Sequence, residues 1–485
     1  MNYRMILNVI GNILKVIGIM LLVPVIVALI YQEGLWNILA FGLPAVGSFA
    51  VGFLLSYKKP TNTNFYAKEG LVIVGLSWFI ISLVGCLPFI INGDIPSFID
   101  AFFETVSGFT TTGATILSNV ESLSHSSIFY RSFTHWLGGM GVLVFVLAFL
   151  PSNAQNIHLL RAESPGPQVG KLVSKIKLTA TILYIIYGVL TLVEIIFLLC
   201  GGMSLFDSIV NSLATAGTGG FSMNNAGIGG YSVYCQIVIA VFMLIFGVNF
   251  NLYYFALIGH IKQAIKSEEL RWYLIIIALA TSVITADLTL SQNLEINLGF
   301  ATNLKDAFFQ VTSIITTTGF STVDFNSWPI FSQTVLFVLL FVGGCAGSTA
   351  GGIKVSRFVI LFKTIKQNIN KMIHPHSVSV ITFEGQKVEK NVQDGVTSYF
   401  GTIFIIFLIS TILISFDGYD ITTNITAVAT CVNNVGPGLN VVGPCGNFGG
   451  FSAFSKVVLI FNMIIGRLEI YPVLVLFHPN TWKNS

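Results

Sequence analysis

The sequence predicts an all-α integral membrane protein: ten transmembrane helices plus four re-entrant pore helices, in four pseudo-symmetric helix–pore-loop–helix repeats. Three observations predict this: the composition, the number of long apolar stretches and an internal repeat. Of 485 residues, 54% are hydrophobic and 9% charged, and the mean hydropathy is +0.82. Soluble domains carry about 25% charged residues, so only a bilayer can solvate this surface.

A spanning helix needs roughly 20 apolar residues. Stretches of that kind lie near 8–31, 36–57, 70–92, 127–150, 178–200, 232–259, 272–290, 328–360, 398–416 and 453–478. The first follows Arg4, contains Lys15 and has no small-x-small cleavage site, so it reads as a retained helix and not a signal peptide. The longest is expected to contain a break. The loops 58–69, 158–177, 260–271 and 361–397 hold most of the Lys and Arg, among them Lys58, Arg161, Lys175, Lys262, Arg271 and Lys363. The alternate loops carry acids, including Glu33, Asp94, Asp100, Glu104, Asp324 and Asp420. The positive-inside rule puts the basic loops, and both termini, in the cytoplasm. The acidic face either concentrates cations or simply lacks bases, and both readings stay open. The six cysteines show no C-x-x-C pair and no metal-ligand spacing; a Cys431–Cys445 bridge stays open.

The repeat sets the architecture. Residues 100–115 read DAFFETVSGFTTTGAT, 207–222 read DSIVNSLATAGTGGFS and 306–321 read DAFFQVTSIITTTGFS. Asp100 to Gly113, Asp207 to Gly220 and Asp306 to Gly319 are each 13 residues apart. A fourth, divergent copy runs from Asn424 to Gly436. Each copy has a spanning stretch on both sides. The chain therefore divides into a two-helix extension at 1–69 and pore repeats at 70–157, 158–262, 263–373 and 374–485. The Asp of each copy is expected to N-cap a short helix. About ten helical residues would follow, roughly 15 Å or half a bilayer. Non-helical backbone at that depth is tolerated only in protein or around a water-filled cavity, so four such segments facing one axis would form a pore.

The residues suit a cation filter. A dehydrated cation needs oxygens in place of water, and rings of backbone carbonyls supply them. Aligned carbonyls demand unusual backbone angles, which Gly adopts without steric cost. The expected filter residues are Thr111, Thr112, Gly113; Thr218, Gly219, Gly220; Thr317, Thr318, Gly319; and Asn434, Val435, Gly436. None is charged, so selectivity would rest on dipoles and cavity shape.

These motifs resemble the Trk/Ktr/HKT superfamily of cation transporters, most closely its bacterial TrkH-type K⁺ uptake members. The carriers are TTTGA at 110–114, GGFS at 219–222, TTTGFS at 316–321 and NVGPGL at 434–439. The two extra N-terminal helices favour the TrkH type. Some Na⁺-passing plant relatives replace the first filter Gly with Ser; here all four are Gly, which implies K⁺ as the transported ion. The second and fourth copies depart from the Thr run with Gly217-Thr218-Gly219 and Asn433-Asn434-Val435. The resemblance further implies an intramembrane gating loop at Gly343, Gly344, Ala346, Gly347, Ser348, Thr349, Ala350, Gly351 and Gly352. Five glycines there disfavour a helix by about 1 kcal/mol each, and close packing through small residues is the other reading. It also implies that Arg467 interacts with the gate below the filter; a structural pair with Glu469 is the alternative. A homodimer, a cytosolic nucleotide-sensing regulatory ring of the TrkA type and a bacterial cytoplasmic (inner) membrane location are implied too. No organic cofactor is expected. The loops 158–177, 260–271 and 361–397 are the expected docking surface.

Other readings are weaker. In GSTAGGIK at 347–354, Ile353 separates Gly352 from the Lys that a phosphate-binding loop needs next to it. An intramembrane hydrolase would have to be built from Ser348 and His135. A coupled symporter with Na⁺ or H⁺ would need a deep carboxylate, and Glu194 and Glu469 are the candidates.

Overall fold

The computed structural model describes residues 1–58, 67–141, 176–291, 298–376 and 379–482. Among these, six helical segments are long and apolar enough to cross a membrane: Tyr3–Ile30, Leu35–Ser56, Lys68–Asn92, Ala180–Cys200, Glu268–Leu290 and Lys390–Asp417. They correspond to α1 (Tyr3–Met20) with α2 (Leu22–Ile30), α3 (Leu35–Ser56), α4 (Ala67–Gly85) with α5 (Leu87–Asn92), α8 (Ile176–Cys200), α13 (Glu268–Leu290) and α17 (Lys390–Ile414). Their outer faces are apolar and bare: Leu54, Leu279 and Ile412 are exposed, as lipid-facing residues must be.

The other four apolar stretches are not simple rods. α10 (Val233–Phe246) and α11 (Phe250–Leu257) meet at an 89° bend, where the Asn249 side chain caps the second helix by accepting from the Asn251 N–H at 3.0 Å. α7 (His125–Gly139) is described to residue 141, and the rest of stretch 127–150 lies outside the described residues. The 328–360 stretch is broken as expected, into α15 (Ile330–Val342) and α16 (Val355–Ile373). The last stretch also breaks, which its sequence did not announce: α19 (Ala453–Arg467) and α20 (Tyr471–Phe477) are separated by Glu469 and Ile470 at φ 58° and 72°. The end of the chain returns to its start. The Tyr3 hydroxyl donates to the Trp482 carbonyl at 3.3 Å, and Lys68 Nζ to that of Asn480 at 3.2 Å.

Four short helices lie between these elements: α6 (Phe98–Phe109), α9 (Leu205–Gly217), α14 (Phe300–Ile315) and α18 (Ile421–Asn433). They have 12, 13, 16 and 13 residues, or about 18–24 Å, longer than the spacing suggested. The expected caps are also corrected. Ser97 and Ser204 cap the first two helices, accepting from the N–H of Asp100 at 3.5 Å and Asp207 at 3.1 Å. Asp100 and Asp207 are thus first-turn anions that favour the positive helix end. Gly299 starts the third helix, leaving Asp306 in its second turn beside Lys305 at 2.8 Å. In the fourth, Asp420 is the cap and accepts from the Thr423 N–H at 3.0 Å. Hydrogen bonds from Thr423 hold its carboxyl below the ordinary range.

One apolar cluster joins the N-terminal helices to the first and last short helices, through Ile13, Trp78, Phe103, Val428 and Met463. Two others form around α14 and α15, and around α10. A small hairpin, β1 (Thr382–Phe383) with β2 (Gln386–Lys387), follows α16.

Candidate functional site

The four short helices end alike. In each copy the residue two before the matched glycine is left-handed: Thr111, Thr218, Thr317 and Asn434, at φ 57°, 53°, 57° and 54°. The next N–H reaches back to close the last turn, from Thr112 to Ser107 O, Gly219 to Ala214 O, Thr318 to Ser313 O and Val435 to Thr430 O, each at 2.9–3.0 Å. This is the six-to-one bond of a Schellman cap, whose left-handed position is ordinarily Gly or Asn. Three copies place a β-branched Thr there, a strained choice of the kind that gathers at functional sites. The glycine that follows is again at positive φ, 77°, 73°, 81° and 97° in chain order. The backbone therefore alternates in hand over three residues in all four copies. The TTTG pattern carried the glycine but not this second inversion.

The copies close on one another in a ring. A Cβ on Gly113 would lie 2.0 Å from the Gly219 carbonyl oxygen, one on Gly220 1.9 Å from that of Thr318, one on Gly319 2.1 Å from that of Val435, and one on Gly436 2.7 Å from that of Thr112. Each glycine thus abuts the carbonyl preceding the glycine of the next copy, and the fourth returns to the first. All twelve residues singled out in the sequence lie in this ring: nine of them are buried, and the other three, Gly113, Gly220 and Gly319, are half-buried glycines pressed against the next copy's carbonyl. A vestibule opens on one side, lined by the four glycines.

The broken part of the third repeat lies on the other side. The Gly351 N–H donates to Thr317 Oγ1 at 2.6 Å, and a Cβ on Gly351 would meet the Asn433 carbonyl at 2.8 Å. Positive φ values at Gly343, Gly347 and Gly352 turn the loop out of helical geometry. Its backbone is tied down all round: Cys345 N–H to Gly247 O and Phe250 N–H to Gly347 O, both at 3.0 Å, and Ala346 N–H to the buried Glu269 carboxylate at 2.7 Å. Gly344 O accepts from Val355 N–H, Thr349 Oγ1 donates to Phe246 O, Ser348 Oγ donates to Cys345 O, and Lys354 Nζ donates to Ala350 O. Arg467 spans the gap between ring and loop. Its Nη1 donates to Thr111 Oγ1 at 3.1 Å and to Thr349 O at 3.0 Å, while Nη2 donates to the carbonyls of Gly138 and Gly139. The alternative pairing with Glu469 does not occur: Glu469 pairs with Arg357, which also lies over the Tyr399 ring.

Several side-chain contacts that support the ring were missed. His135 is fully buried; its Nδ1 faces Gly108 O at 2.8 Å and its Nε2 accepts from the Phe221 N–H at 3.3 Å. It bridges the first two copies and does not meet Ser348. Asn434 Nδ2 ties the fourth copy to the first through Thr112 Oγ1, at 2.9 Å. Gln236, Gln333 and Lys456 each donate to the carbonyl seven residues earlier, Gly229, Asn326 and Gly449. Extending the alignment of the copies into their return helices was the signal that could have found this trio. Lys456 also pairs with Asp100 at 2.5 Å. Glu194 is fully buried, and among the described residues neither carboxylate oxygen has a hydrogen-bond partner. All six cysteines are free, so Cys431 and Cys445 are not bridged. The expected docking loop at 158–177 lies, but for its last two residues, outside the described residues.

The arrangement offers neutral oxygens and dipoles, not a nucleophile–base pair. Among the described residues no group of three His, Cys, Asp or Glu could hold a metal ion.

Comparison with known proteins finds similar chains over the full length. A family described as TrkH, cation transport protein, matches residues 41–484. The chain is 36% identical over 490 residues to the Trk system potassium uptake protein TrkH of Salmonella typhimurium, covering 100% of both chains. It is 35% identical over 492 residues to the Trk system potassium uptake protein TrkG of Escherichia coli, covering 99% of each. The crystal structure of the potassium transporter TrkH from Vibrio parahaemolyticus superposes with a TM-score of 0.89 at 33% identity, covering 100% of both chains.

Proposed function

Because the chain belongs to the TrkH family of cation transport proteins, we propose that it takes up K⁺ across a bacterial cytoplasmic membrane through a gated, K⁺-selective pore. The family is one of transporters, and the chain is not an enzyme. The observation that carries the reading is the closed ring of four glycines and four carbonyls. K⁺ entering from the vestibule exchanges water for the carbonyl oxygens of Thr111 to Gly113, Thr218 to Gly220, Thr317 to Gly319 and Asn434 to Gly436. The negative ends of α6, α9, α14 and α18 favour the cation beyond it. The four short helices act as re-entrant pore helices, and the apolar stretches as ten spans with both termini cytoplasmic. The meeting of Tyr3 with Trp482 supports an even number of crossings. The division at 69, 157, 262 and 373 into an extension and four repeats follows.

Residues 343–352 act as the gate. In the described state the loop and Arg467 are bonded to the inner edge of the ring at Thr317 and Thr111, so permeation requires both bonds to yield. Arg467→Gln removes the guanidinium and its four carbonyl and hydroxyl contacts. We expect Rb⁺ flux in proteoliposomes to rise several-fold; unchanged flux in a monodisperse variant would reject a closing role for Arg467.

The protein acts as a homodimer in the bilayer, regulated by a cytosolic nucleotide-binding ring of the TrkA type. The hairpin after α16 supports a docking surface at 361–397: Glu384 at its tip accepts from Ser267 Oγ and from the N–H of Glu269, the residue that holds the gate loop. Residues 260–271 adjoin it.

The deciding experiment is Rb⁺ and Na⁺ uptake by purified protein in liposomes at two pH values. Selective Rb⁺ uptake that ignores pH and Na⁺ is the expected result. Uptake that needs a proton or Na⁺ gradient would replace passive permeation with coupled transport. The unpaired Glu194 would then be the carboxylate to neutralise, since Glu469 is already held by Arg357.

A further inference from the structure

The first repeat carries a buried ion pair that its counterparts lack. Glu104, an acid that charge distribution alone assigned to the outer loops, lies inside α6 at 1% exposure. Arg131, from α7, donates to its Oε1 through Nε at 2.9 Å and Nη2 at 2.8 Å. Glu104 Oε2 accepts the Ile116 N–H at 3.0 Å, and the carboxylate also takes the Thr115 hydroxyl. On its other side Arg131 crosses into the second repeat: Nη1 donates to the Ser222 carbonyl at 3.3 Å, and the guanidinium carbon sits 4.1 Å above the Phe221 ring centre. One pair therefore clamps the chain just past Gly113 and reaches the chain just past Gly220.

Position decides what this does. Arg131 lines the same vestibule as the four glycines. Nine residues before the matched glycine, Glu104 is replaced by Asn211, Gln310 and Ala427 in the other repeats; seven after the return-helix cap, Arg131 is replaced by Ile239, Leu336 and Leu459. A lone guanidinium on that wall would repel an entering cation, and a lone buried carboxylate would be costly. Two guanidinium donors converging on one carboxylate oxygen also fix orientation as a single ammonium cannot.

We propose that Glu104 and Arg131 are a charge-compensated brace at the outer end of the filter: Glu104 cancels the positive charge on the vestibule wall, and the Arg131 fork holds the first two repeats in register for selectivity. Both are positioning residues. The inference rests on the pore reading, which the parent protein tests separately in the same assay: a parent that shows no selective Rb⁺ uptake would sink that reading, whereas a conducting parent leaves the variants to judge the brace.

The test is Rb⁺ uptake against external Rb⁺ concentration, with Na⁺ uptake in parallel, in proteoliposomes of purified, monodisperse protein. Glu104→Gln leaves the guanidinium uncompensated; the half-saturating Rb⁺ concentration is expected to rise roughly three- to tenfold, less at high ionic strength, with a smaller change in maximal rate. The double variant Glu104→Gln/Arg131→Gln restores neutrality with two amides and should return within about twofold of the parent. Arg131→Lys keeps the charge and loses the fork, so it should retain the parental half-saturation yet admit more Na⁺. It decides the case even where Glu104→Gln does not fold. Parental half-saturation in Glu104→Gln, a double variant no better than the single one, or an Arg131→Lys protein with parental Na⁺ exclusion would each overturn the proposal.

Discussion

Gly113→Ser is expected to admit Na⁺ and to lower the Rb⁺/Na⁺ uptake ratio by at least about tenfold, the equivalent of some 1.4 kcal/mol of lost discrimination. Two effects add. The position has φ 77°, where an L side chain is strained by roughly 1–2 kcal/mol. More decisively, the new Cβ would sit 2.0 Å from the Gly219 carbonyl oxygen, so the two strands must part. A widened ring no longer replaces the hydration shell of K⁺ to its advantage over Na⁺. The ring geometry also ranks the other three positions. Ala at Gly220 or Gly319 meets a carbonyl at 1.9 or 2.1 Å and should be as severe, whereas at Gly436 the distance is 2.7 Å and the loss should be smallest. Uptake ratios measured in the same liposomes check both the size and the order. A Gly113→Ser protein with parental selectivity would remove Gly113 from the filter.

Deleting residues 345–350 should raise Rb⁺ flux about tenfold or more. The deletion takes away the Thr349 carbonyl that holds Arg467 and the Ala346 N–H that binds Glu269. It also removes the Cys345 and Gly347 backbone bonds to the bend between α10 and α11. Gly351 then loses the frame that presses it against Thr317 and Asn433. A hydrogen bond to a charged group contributes roughly 1.5–3 kcal/mol, so losing the Arg467 and Glu269 contacts alone can shift a closed state by more than a factor of ten. The same residues bury apolar atoms of Cys345 and Ala350, and the variant must therefore be shown to be monodisperse. Parental flux in such a protein would make the segment a packing feature and not a gate.

Composition and repeat spacing were enough to derive a helical membrane chain, because bilayer-solvated helices need long apolar runs and cannot be written otherwise. The four glycines were legible for a similar reason: only Gly tolerates a carbonyl at their Cβ positions, so matched spacing exposed them. The break between α15 and α16 showed itself through five glycines that a helix would reject. Beyond that, tertiary contacts decided. The left-handed Thr111, Thr218 and Thr317 violate local preference and persist because the surrounding ring over-determines them. The caps at Ser97 and Ser204 lie three residues upstream of where matched Asp residues drew attention, since both residue types suit a helix start and only the backbone path chooses between them. Glu104 and Arg131, 27 positions apart, and Arg467 with Thr111, 356 apart, carry no sequence signal of their partnership. Sequence alone thus determined the four matched segments and the break in the third repeat. Only the tertiary structure decided how the units close and which charges meet, because a ring and its ion pairs exist only once four distant segments share one axis.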